Sequence, residues 1–268
     1  MNESIIHVTY DVARTASRAE EFIKEISKHS LFAADFEVAV KYSPLQIAEW
    51  KAQLEQPDLP KLDRVAIQSR LSATALDHPS HCTLTHCSIA TSNNHAYVFL
   101  LNNRSITNTV LNFLTTTPIT QVWHNLSYDS RHLYYHTGKF PLNYEDSQIL
   151  AKTLINHVDT FKARTGLKEL QGHKYGDWAI SVDSFTVDQM YDEKVLKYAA
   201  IDSCATYNLW TYLNEQCDAI DEELIRISGV KPLAWVYIGY SMVRFRVICG
   251  SSISQIARWI IVLFSPYS

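Results

Sequence analysis

Asp35 and Glu37 stand two residues apart inside LFAADFEVAV, an otherwise apolar run. Side chains alternate faces along a strand, so a strand here projects both carboxylates to one side and Phe36 to the other. An Asp-x-Glu alone is a weak signal, common at strand ends where both acids are solvated. The neighbours Leu31, Phe32, Ala33, Ala34 and Val38 argue for a buried strand. Two carboxylates in such a run are costly unless a cation compensates them.

Two further acidic contexts fit the same demand. In WHNLSYDSRHL, Asp129 falls where a strand passes into a helix. It lies four residues after Asn125, roughly on one side of that helix. Asn125 can also be read as the helix cap, and an anion near a helix N-terminus is favoured by the dipole. In KYAAIDSCATYNLW, Tyr198 and Asp202 are i and i+4 on a helix face, with Ala199, Ala200 and Ala205 around them. Carboxylates that converge on two divalent cations about 4 Å apart are a common device for in-line attack on a phosphodiester.

The three blocks resemble the Exo I, Exo II and Exo III motifs of the DEDD exonuclease superfamily. The Tyr-x-x-x-Asp form of the third is similar to the tyrosine branch. HNLSYDSRHL and KYAAIDSCATYNLW look most like the proofreading domain of family A, polymerase I type, DNA polymerases, phage ones especially. EDSQILAKTLIN and GLKELQGHKYG resemble the helices that connect these motifs, so the resemblance runs over about residues 15–220. It implies an α/β fold of RNase H-like type, a mixed sheet flanked by helices. It implies 3′-5′ exonuclease activity on DNA ends with two Mg²⁺ or Mn²⁺ ions, held by Asp35, Glu37, Asp129 and Asp202. By the same resemblance Tyr198 orients the nucleophile and Asn125 positions the terminal nucleotide of a single-stranded 3′ end. A ribonuclease D-like exoribonuclease shares the tyrosine-type site, and an inactive fragment that only binds nucleic acid or a partner is a further alternative.

The periodicities agree with a mixed sheet covered by helices. ARTASRAEEFIKEISKH reads as an amphipathic helix, CTLTHCSIATSNNHAYVFLL as a hairpin turning at SNN, and SITNTVLNFLTTT as a helix capped by Ser105 or Thr107. ITQVWHN reads as a strand followed by a helix at LSYDSRHLYYHT, and a long helical stretch carries Tyr198 and Asp202. The exonuclease domain is placed at residues 1–225, with a proline-punctuated insertion over about 42–80. Residues 226–268 form a tail: from residue 229 acidic residues vanish and no period is evident. PLAWVYIGY resembles the start of the polymerase continuation and the rest does not. The expectation is therefore a truncated or split polymerase, with a separate polymerase subunit as a partner.

Net charge, 24 Lys+Arg against 28 Asp+Glu, argues against a sequence-independent duplex binder but suits a narrow cleft for a few nucleotides. Five cysteines without a paired framework, no secretory signal and no run of roughly 18 apolar residues predict a cytoplasmic protein (host cytoplasm if phage-encoded) with no membrane association. His81, Cys82, His86 and Cys87 invite a zinc reading. Strict alternation along a strand puts Cys82 and His86 on one side and Cys87 on the other, which disfavours it. Lys168 reads as a surface lysine in preference to a phosphate contact, and Trp123 as packing beneath the Exo II turn.

Overall fold

In the computed structural model, residues 5–42, 44–73, 79–155, 165–178, 187–228, 234–238 and 241–245 are described. The chain divides into two units, Met1–Gln148 with Arg164–Thr211, and Ile149–Ala163 with Tyr212–Ser268.

The first unit holds a six-stranded sheet in the order β1-β4-β3-β2-β5-β6. The strands are β1 (Thr9–Ala13), β2 (Leu31–Val40), β3 (Cys82–Ala90), β4 (His95–Leu100), β5 (Thr120–Trp123) and β6 (Tyr144–Asp146). β3 runs against both its neighbours, β2 and β4, while the β1/β4, β2/β5 and β5/β6 pairs are parallel. The expected hairpin is β3–β4, turning at residues 91–94. β1 and β6 are strands where no strand was expected: β1 precedes the first helix, and β6 takes the first residues of EDSQILAKTLIN.

Amphipathic helices cover one face of the sheet. α1 (Ala16–Ile26) starts at Thr15, whose hydroxyl accepts from the Arg18 N–H at 3.2 Å, and buries Ala19, Phe22 and Ile26 at helical spacing. α4 (Arg104–Thr116) buries Ile106, Val110, Leu111 and Leu114. Its cap is Asn103, which accepts from the Ser105 N–H at 2.8 Å, so neither Ser105 nor Thr107 caps it. These side chains join Phe32, Phe36, Val38, Leu84, Trp123 and Leu133 in one core. Trp123 is fully buried, its ring 5.4 Å from that of Phe36, as its place beneath the turn requires.

Between the antiparallel neighbours β2 and β3 the chain makes α2 (Pro44–Leu54) and α3 (Lys61–Ala73). α5 (Leu126–Thr137) follows β5 and ends on Gly138, whose left-handed φ of 66° suits a residue with no Cβ. α6 (Ser147–Ile155), α7 (Leu167–Tyr175) and the long α8 (Glu193–Ser228) complete the described helices. In the second unit, β7 (Ala234–Ile238) and β8 (Ser241–Phe245) pair as an antiparallel ribbon, within a segment whose sequence shows no period. Among the described residues no helix is long and apolar enough to cross a membrane.

Pairing of β2 with β3 contains a bulge that matters for the site. Glu37 lies opposite His86, but Val38 lies opposite Leu84, which leaves Thr85 as the extra residue. The alternation of β3 reverses there. Cys82 and Leu84 therefore share a face with Cys87 and the buried core, while His86 shares the other face with Asp35 and Glu37. The expected grouping of Cys82 with His86 is thus incorrect, because the bulge flips one half of the strand. His86 is fully buried, and its Nε2 contacts the Met190 carbonyl at 2.7 Å. The only cluster of metal-ligating side chains among the described residues lies elsewhere.

Candidate active site

β2 is central in the sheet and presents Asp35 and Glu37 on the face opposite Phe36, as the two-residue period demands. α8 brings Asp202 to the same point. One carboxylate oxygen each from Asp35, Glu37 and Asp202 lies within 4.8 Å of the others. Ala199, Ala200 and Ala205 are fully buried, so small side chains let the helix approach the sheet closely. Tyr198, one turn before Asp202, is also buried.

Asp129 is buried in the first turn of α5 and joins the group through the main chain. Pairing of β2 with β5 ends at Ala33, so the Phe36 N–H has no β5 partner. It donates instead to Asp129 Oδ1 at 3.2 Å. Asn125 occupies the N-cap position of α5 in a left-handed conformation, φ 65°, and makes no side-chain cap bond. The Asn125 and Leu126 N–H groups donate to Asp146 at 3.2 and 2.9 Å, so a carboxylate from β6 terminates the helix. The Asn125 side chain is exposed and accepts from the Ser127 hydroxyl at 2.9 Å.

Two residues in the cluster carried no clear signal in the sequence. Lys168, near the start of α7, places Nζ 2.7 Å from Asp202 Oδ2 and 2.7 Å from the Tyr198 hydroxyl. It is a site residue, which corrects its reading as a surface lysine. Trp178 donates its indole N–H to Asp202 Oδ1 at 2.6 Å. A lone lysine and a lone tryptophan have no spacing rule that ties them to an aspartate 24 or 34 residues away.

The electrostatics follow from crowding acids away from water. Desolvation, reinforced by the charge of Asp202, pushes Asp35 up to about 7, while Lys168 and a hydrogen bond to Glu37 pull against it. Glu37 is held well above the usual carboxylate range by burial, then by Asp35 and Asp202. Asp129 is raised the same way, by burial and by Asp35. Burial and the neighbouring acids raise the Tyr198 phenol, which keeps its proton at neutral pH.

A family model described as a 3′-5′ exonuclease matches residues 73–218, more than half of the chain. The match takes in Asp129, Tyr198 and Asp202 and leaves out Asp35 and Glu37. No curated protein sequence matches. Among solved structures, the catalytic core of RRP6 from Trypanosoma brucei is 14% identical, with a TM-score of 0.54 over 81% of this chain and 50% of its own. The complex of T. brucei RNase D with GMP is 14% identical, with a TM-score of 0.53 over 76% and 56%. Escherichia coli RNase D is 15% identical, with a TM-score of 0.50 over 79% and 46%. The matched region is therefore about half of each of these proteins. At such identity the likeness is one of fold, and it identifies the helix-flanked mixed sheet as the RNase H-like fold of the DEDD exonucleases. With the family model spanning most of the sheet and the second half of the site, the chain belongs to the 3′-5′ exonuclease family.

Proposed function

We propose that the protein removes nucleoside 5′-monophosphates stepwise from the 3′ end of single-stranded DNA, as a tyrosine-branch proofreading exonuclease acting beside a polymerase. The observation that carries this is the convergence of Asp35, Glu37 and Asp202 within 4.8 Å, with Asp129 tied to the Phe36 N–H and Tyr198 one turn from Asp202.

The donor set fits Mg²⁺ or Mn²⁺. It is built of oxygens alone. Glu37 Oε1 is buried with no hydrogen-bond partner among the described residues, and three carboxylates sit above their usual range because burial strips them of water and, after that, like charges crowd one another. Asp35, Glu37, Asp129 and Asp202 would hold the ions, which supply Lewis acidity and offset the charge that develops on the leaving 3′ oxygen. The chain's own groups do the rest. The Tyr198 hydroxyl, protonated at neutral pH, orients the attacking water. Asn125, exposed at the start of α5, contacts the terminal nucleotide. A short single-stranded end needs only such local contacts, in keeping with the net charge of -4.

E. coli RNase D, an exoribonuclease, is built on the same fold, so the fold itself also serves RNA ends. The deciding assay is nucleotide release from 3′-labelled single-stranded DNA and matched RNA with Mg²⁺, for the wild type and Asp35→Ala. Metal-dependent release from DNA, reduced at least about 100-fold in Asp35→Ala by loss of charge stabilisation, is expected. Faster release from RNA would transfer the assignment to an exoribonuclease. No release by a folded protein would overturn the enzyme reading and leave a nucleic-acid or partner binder.

A further inference from the structure

Both oxygens of Asp202 are taken by donors from the same chain, and the two donors differ in kind. Trp178 is buried, and its indole N–H only donates, so its bond to Oδ1 is a fixed one. Lys168 sits on Oδ2 by a four-carbon stem, and its side chain is 37% exposed, so this donor is free to exchange. The same ammonium lies 4.4 Å over the Tyr198 ring and contacts the Tyr198 hydroxyl. It therefore covers both groups on α8 that hydrolysis would use. An ammonium and a dication cannot share one carboxylate oxygen without strong mutual repulsion at such range. A phosphate group offers the ammonium an alternative anion of the kind lysine binds well.

We propose that Lys168 is a resident counter-cation of the carboxylate cluster, displaced from Asp202 when a divalent ion enters, and drawn off by the terminal phosphate of the substrate. The inference rests on the proposed metal-dependent nuclease reading. It makes metal and phosphate binding mutually reinforcing, since each favours the displaced position of the same side chain.

The test is Mn²⁺ titration, followed calorimetrically, of the wild type, Lys168→Met, Lys168→Arg and Asp35→Ala, each with and without thymidine 5′-monophosphate. Circular dichroism and thermal melts confirm that each variant is folded. Without nucleotide, Lys168→Met should bind Mn²⁺ about ten-fold more tightly, the scale of a partly exposed charge-assisted hydrogen bond. Lys168→Arg, which keeps the charge, should remain near the wild type. Nucleotide should tighten Mn²⁺ binding in the wild type and have little effect in Lys168→Met. Equal or weaker binding by Lys168→Met, with Asp35→Ala still losing the ion, would overturn this inference alone. Absence of Mn²⁺ binding by every folded variant would overturn the metal-centre reading with it.

Discussion

Tyr198→Phe removes one hydroxyl near the start of α8 and leaves a buried ring of nearly the same shape. If that hydroxyl orients the attacking water, kcat falls roughly 10- to 100-fold while KM changes little. Single-turnover assays on a saturating 3′ end would measure it, and an unchanged kcat would remove Tyr198 from the chemistry. His86 makes a different prediction, about pH. Burial lowers its pKa to about 4, against 6.5 for the free side chain. Between those values the unfolded chain binds the extra proton, so this contribution is fully present above pH 6.5 and is lost as pH falls through 4. The shift corresponds to about 3 kcal/mol. The raised carboxylates slope the other way, so the readout is the stability difference between wild type and His86→Gln. That difference should shrink on acidification from pH 7 to 4.5, and a constant difference would refute it. Asp35 and Glu37 were readable because strand alternation is a local rule. Lys168 and Trp178 were not, because a contact between separate segments leaves no period in the sequence.

The junctions between elements carry much of the precision of the site. Asp146 ends β6 and accepts three backbone N–H groups, from Asn125, Leu126 and Gln148 at 3.2, 2.9 and 2.8 Å. It therefore joins the starts of α5 and α6 and sets where α5 holds Asp129. His124 adds to this join through the Ser147 hydroxyl at 2.9 Å and the Thr165 carbonyl at 3.0 Å. Asp146→Ala should cost about 2–3 kcal/mol in chemical denaturation, since several donors lose their acceptor at once. Asp146→Asn, which still accepts, should recover part of that loss. Equal stability of all three proteins would show that water satisfies these donors. Helices with strong amphipathic patterns, α1 and α4, were legible to within a few residues. β6 was not, because three residues that pass directly into a helix have too little length for a two-residue period to register.

For the molecule as a whole, the mixed sheet and the order of its elements other than β1 and β6 could be anticipated from hydrophobic pattern and motif resemblance. The pairing order could not, since the parallel β1/β4 contact is non-local and β1 carries no distinctive pattern. The single reversal inside β3 was also invisible, although it decides which side chains meet the site. Thr85 is held by its hydroxyl on the Glu37 carbonyl at 3.0 Å, and its own carbonyl accepts from the Leu101 N–H at 2.8 Å. Thr85→Ser keeps those atoms and should yield soluble protein with wild-type circular dichroism. Removing residue 85 altogether would place Leu84 directly beside His86, still opposite Val38 with Cys82 opposite Val40, so even pairing returns and the core face is kept. That deletion should give soluble, folded protein; an insoluble product would show that the bulge itself is required, and not only the facing that it sets. Strike out that one letter and the strand reads in twos from end to end.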